Sequence, residues 1–181
     1  MRITTWELLG IVFIIIVGSL LHFVFELSGY SVMVAPIAAV NESVWEHLKL
    51  GFWPAVLFTL IEYAAFKNKN KGIENFFMAK TYGIYIIPVS IAALFYGYTA
   101  ILGGNVRVLD ILTFMVAVVL GQGVSLRLLQ SQYSAKWNWI FIFVLILAVM
   151  FVVFTFYPPH IFLFQDSLTG GYGIVEHSIF S

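Results

Sequence analysis

Apolar residues run along this chain in five long blocks, separated by short stretches rich in charged, glycine and proline residues. A bilayer core about 30 Å thick takes roughly 20 apolar residues of helix, because lipid offers a bare peptide group no partner. The blocks meet that length and predict transmembrane helices over about 6–26, 43–66, 80–102, 109–129 and 138–157, with Pro158 and Pro159 stopping the last. The first, through IVFIIIVGSLL, is too long and too strongly flanked for a cleavable signal peptide. The expectation is an all-α, polytopic bundle forming a single membrane domain over residues 1–181, with a tail over 158–181.

Five spans place alternate connections on opposite sides. Arg2, Lys67, Lys69, Lys71, Lys80, Arg127 and Lys136 then share one side, which basic loops mark as cytoplasmic. The N-terminus is therefore expected inside and the C-terminus outside, in a multi-pass protein of the cell membrane. Lys49 and Arg107 fall outside. Trp6, Trp137 and Trp139 sit where interfacial aromatic anchors belong.

Composition supports this picture: 61% of the residues are hydrophobic and 10% charged, so lipid is the main solvent and the first partner. Cysteine is absent, which removes disulfides, thiolate metal sites and cysteine nucleophiles. The net charge of zero divides unevenly by side, 7 basic against 3 acidic inside and 2 against 6 outside. The basic run KNKNK is a short cytoplasmic loop and not a nucleic-acid surface. A homo-oligomer or a larger membrane complex remains open.

The same topology gathers His22, His47, His160 and His177 on the outer side with Glu26, Glu42, Glu46, Asp110, Asp166 and Glu176. His22 and Glu26, four apart, share a face of the first helix, as do Glu42 and Glu46 near the start of the second. Ser43 and Glu46 have capping-box spacing, so helix initiation alone accounts for part of that motif. His22 and His47 lie about 6 Å inside their helix ends by helical rise, where ionisable groups have a partner or a task. Mutual ion pairing across the two helices is the plain alternative to a site.

Elsewhere the signals are structural. The segment LSGYSVMVAPIAAV either dips back as a lid or lies on the lipid surface as a loop, and the aromatic tail is expected to fold onto the outer face. Pro54 and Pro88 should kink their helices or free a carbonyl. Gly121, Gln122, Gly123 and Ser125 read as close helix packing. Glu62 is expected to reach the interface or Lys67, and Arg107 and Asp110 to pair with each other or with the outer cluster.

The stretches HFVFELSGYS, VNESVWEHLKLGFWP and YPPHIFLFQDSLTGGYGI resemble a family of small bacterial and archaeal membrane proteins catalogued as a domain of unknown function. The similarity covers nearly the whole chain. It implies a multi-pass membrane fold and carries over no activity or site residue.

Three functions are compatible with these residues. The first is a divalent-metal site, such as zinc, drawn from His22, Glu26, His47, His160 and Asp166, with Glu42 or Glu46 as general base if the ion activates water. The second is a transporter or solute-binding subunit with an acidic vestibule. The third is an accessory protein whose polar cluster is an ion-paired cap.

Overall fold

The computed structural model describes residues 2–66, 75–131 and 138–174. Lys67, Lys69, Lys71, Lys136, Trp137, Glu176 and His177 lie outside the described residues, and with them the expected Glu62–Lys67 contact. Among the described residues five α-helices follow one another: α1 (Ile3–Leu27), α2 (Val44–Phe66), α3 (Phe76–Leu102), α4 (Arg107–Gln130) and α5 (Ile142–Phe156), the last preceded by a 3₁₀ turn over Asn138–Phe141. Each apolar span is long enough to cross a membrane, that of α5 counted from Trp139. No strand occurs among the described residues.

The ends are set by local chemistry. At the end of α1 the Ser28 hydroxyl donates to the Phe25 carbonyl at 2.7 Å, and Gly29 and Tyr30 turn the chain away at φ of 68° and 61°. At the end of α3, Gly103 takes φ 77° and donates its N–H to Thr99, the usual way to satisfy a terminal carbonyl. The start of α3 differs from expectation: Phe76–Ala79 add a helical turn, because they are apolar and nothing in them breaks a helix. Lys80 therefore lies inside the helix.

Helices consecutive in the chain are antiparallel, so α5 runs parallel to α3. α1 packs on α2 and α4, α3 on α4 and α2, and α5 on α3. α2 is the central helix, with 56% of its apolar stretch buried against 22–33% in the others. Its face carries Trp45, Leu48, Phe52 and Ala55 into a core shared with Ile14, Ile87, Val118 and Phe151. The opposite faces are apolar too: Leu8, Val12, Ile16 and Leu20 on α1, and Ile142, Leu145, Ile146 and Val149 on α5, are all exposed. Water would penalise that surface, and lipid does not.

Small residues set the helix spacing, as the sequence suggested. A Cβ on Gly121 would meet Ile87 Cγ1 at 2.5 Å and the Gly83 carbonyl oxygen at 2.7 Å, so α3 and α4 touch backbone to backbone. α2 and α3 run continuously through Pro54 and Pro88. Pro54 has no N–H for the Leu50 carbonyl, and α1 approaches that carbonyl so closely that a Cβ on Gly18 would lie 2.4 Å from its oxygen.

This packing makes a direct prediction. Gly121→Ala should destabilise the detergent-solubilised protein by about 1–3 kcal/mol, whereas Gly123→Ala, with nothing within 4 Å of its added methyl, should leave the thermal midpoint unchanged or slightly raised. Equal midpoints for the two variants would show that α3 and α4 separate freely.

Candidate functional site

The turn between α1 and α2 is held from below. Lys49, fully buried on α2, places its ammonium 2.5 Å from Glu46 Oε2. It also donates to the Ala35 carbonyl and the Thr155 hydroxyl of α5, both at 2.8 Å. Glu46 Oε2 accepts the Val40 N–H at 3.0 Å, and the Trp53 indole donates to the Pro36 carbonyl at 3.0 Å. Residues 34–40 are thereby folded against α2, with Ala35 and Ala38 buried. The second half of LSGYSVMVAPIAAV is thus packed on α2, while Leu27, Val32 and Met33 in its first half are exposed.

Only half of the expected capping box forms. The Ser43 hydroxyl accepts the Glu46 N–H at 3.3 Å, but the Ser43 N–H goes to the Asn41 side chain at 2.9 Å, because the Glu46 carboxylate is drawn to Lys49. Asn41 in turn donates to the Gly173 carbonyl at 2.7 Å, and the Ser167 hydroxyl to the Glu42 carbonyl at 3.1 Å. The tail over 158–174 thus lies against this turn. Phe164 is buried beside Trp45, ring centres 4.7 Å apart.

Held on both sides, Glu42 stands between two imidazoles. His47 Nε2 is 3.3 Å from Glu42 Oε2 and His22 Nε2 is 3.8 Å from Oε1. The two rings are 5.3 Å apart. The three ligand-type atoms lie within 4.8 Å of one another. His47 Nδ1 is 2.8 Å from the Ser43 carbonyl, so it carries the proton of that hydrogen bond and leaves Nε2 facing the carboxylate. A neutral imidazole has one N–H. Both acceptors are satisfied only by an imidazolium or by a cation at Nε2. The His47 hydrogen bond holds the Glu42 carboxyl below its ordinary range against the opposing effect of burial, and the charges of both histidines and Arg107 act in the same direction as that bond.

The remaining candidates are elsewhere. Glu26 is exposed, and His22 faces Glu42 instead. His160 is exposed and stacked on Tyr172 at 4.5 Å. Asp166 is buried, but its carboxylate closes its own turn, accepting from the Leu168 N–H at 3.0 Å and the Thr169 hydroxyl at 2.6 Å. Asp110 pairs with the Tyr98 hydroxyl, not with Arg107. A cavity of about 340 Å³ opens beside Glu42, walled by Phe95, Tyr96, Phe162, Gln165 and Asp166 among others.

Sequence reasoning missed the buried lysines. Lys49 was counted as an outer-side charge, although its i,i+3 spacing from Glu46 signals a pair. At the other end of the bundle Lys80 lies 2.5 Å from both Glu7 Oε1 and Glu62 Oε2. Glu62 is fully buried and does not reach the interface. Glu7 and Lys80 are 73 residues apart, so no local pattern links them.

Five apolar helices and an interhelical histidine–carboxylate cluster define an all-helical membrane protein. Within that class, residues 1–174 match the model described as "Family of unknown function (DUF6512)", and the chain belongs to that family. No match was found among curated proteins or among solved structures.

The Lys49 node is open to a test of its own. Lys49→Met leaves a carboxylate buried and unpaired, and should destabilise the protein by about 3–5 kcal/mol. Adding Glu46→Gln to it should recover a large part of the loss in thermal unfolding. A double variant no more stable than Lys49→Met would show that the ammonium's other two bonds dominate.

Proposed function

We propose that this is a multi-pass protein of the cell membrane, N-terminus inside and C-terminus outside, whose His22–Glu42–His47 cluster is an extracytoplasmic divalent-cation site. Zinc is the ion of choice for two imidazoles and one carboxylate. The observation that carries the reading is the 3.3 Å separation of His47 Nε2 and Glu42 Oε2. A tetrahedral ion with bonds of about 2.0–2.1 Å holds its ligand atoms about 3.3–3.5 Å apart. His22 Nε2 lies 3.8 Å from the other carboxylate oxygen, with the three ligand atoms within 4.8 Å of one another, so His22 has to close in on the other two when an ion binds. The Ser43 carbonyl orients His47 as a backbone acceptor orients a metal-bound histidine.

Three protein ligands leave a fourth position, and Glu42 borders the cavity from which a water or a ligand would fill it. Hydrolysis is less well supported than binding. Glu46 is committed to Lys49 and Val40, and Glu42 to ligation, so neither is left as a general base.

Protein purified without chelators should hold near-stoichiometric zinc by inductively coupled plasma mass spectrometry. Glu42→Gln and His47→Ala should each weaken zinc binding at least about tenfold in a competition titration, while Glu26→Gln should not. Affinity should fall with acid, since protons compete for both imidazoles. Wild-type protein that takes up no zinc, cobalt or manganese would return the cluster to an ion-paired cap on the helix ends.

A further inference from the structure

The charges at the two ends of the bundle do not balance in the same way. Lys49 and Glu46 make a neutral pair with every ammonium hydrogen used. At the opposite end one ammonium, Lys80, faces two carboxylates, Glu7 from α1 and Glu62 from α2. All three side chains are at most 2% exposed. The α4 groups at this junction are neutral: the Ser125 hydroxyl donates to Glu7 Oε1 at 2.9 Å, and the Gln122 amide reaches the Glu7 backbone carbonyl at 3.5 Å. Arg127, on the same helix, is exposed. With both carboxylates ionised the triad carries one negative charge that no further cation among the described residues pairs, and an unpaired buried charge is expensive enough that such a group takes up a proton instead.

The hydrogen bonds say which carboxylate does so. Glu7 Oε1 accepts from the Lys80 ammonium at 2.5 Å and from Ser125, and donors of this kind favour the ionised form. Glu62 has the same ammonium 2.5 Å from Oε2 but, among the described residues, no second donor like Ser125, and its Oε1 has no partner. We propose that the Glu7–Lys80–Glu62 junction is a proton-binding site: Glu62 holds a proton at neutral pH, taken from water at that end of the bundle, and the triad is neutral as a whole. The proton joins Glu62 as a carboxyl hydrogen, Glu7 stays a carboxylate and Lys80 an ammonium. Release of the proton would put back the uncompensated charge among four helices, so proton occupancy and helix contact are linked.

Infrared spectroscopy reads this without any activity assay, because a protonated carboxyl has a carbonyl stretch distinct from that of a carboxylate and shifted in heavy water. Reconstituted wild-type protein at pH 7 should show a protonated-carboxyl band that is lost in Glu62→Gln. It should be lost equally in Glu7→Gln, where the surviving Glu62 ionises to pair with Lys80. Glu46→Gln should keep the band. Loss in the Glu7 variant separates charge balance from simple removal of the absorbing group, and it also serves if Glu62→Gln fails to fold. A wild-type spectrum without the band at pH 7 would overturn the proposal, as would a band that survives in Glu62→Gln or in Glu7→Gln.

Discussion

The ammonium of Lys49 has three hydrogens, and each has its own acceptor: the Glu46 carboxylate, the Ala35 carbonyl and the Thr155 hydroxyl. Those acceptors belong to α2, to the turn before it and to α5, so one buried charge joins α2 and its preceding turn to a helix residue 106 positions away. A cation at that depth has no water to fall back on, which makes the arrangement obligatory. The consequences run outward. Glu46, fixed by Lys49, takes the Val40 N–H, and Asn41 is left to hold Ser43 and Gly173. Glu42, one residue further on, is then placed between His22 and His47 by backbone that cannot shift without breaking the ion pair. The cluster at the surface is thus positioned from the interior.

The tail contributes from the other side. Phe164 packs among Trp45 and Phe154, and Asp166 closes a tight turn that sets Ser167 against the Glu42 carbonyl. The acid that looked like a ligand in the sequence is therefore part of the brace. The same brace forms one wall of the cavity beside Glu42, and Phe95 and Tyr96 of α3 form another.

Five spans were legible because length and apolarity are properties of contiguous sequence, and the lipid requirement on the backbone leaves few alternatives. His22, Glu42 and His47 were legible as neighbours because topology alone brings the end of α1 to the start of α2. The pairing within that set was not. The four-residue spacings suggested His22 with Glu26 and Glu42 with Glu46, but Glu42 precedes the first residue of α2, so helical periodicity does not govern where it points. The buried lysines were misread for a different reason. Charge counting assigns a lysine to the nearest loop, and an extra turn of α3 or a partner on another helix carries it inside. Glu7 and Ser125, 118 residues apart, meet only in the folded bundle.

The distance between the two polar ends limits what they do together. Lys49 and Thr59 are ten residues apart on α2, about 15 Å by helical rise, and the buried positions between them are Leu50, Gly51, Phe52, Pro54, Ala55 and Phe58. Facing that stretch are Ile14, Ile87, Ala117 and Val118, again buried and apolar. Among the described residues the polar side chains buried at this level are few, Gln122 beside Phe58 and Thr113 on α4, and a continuous route through one copy would require dry side chains to part. α2 is rigidly packed and belongs to both polar ends, so a change of charge at one end reaches the other only as a shift of that helix against its neighbours, opposed by the glycine contacts that hold α1 on α2 and α3 on α4.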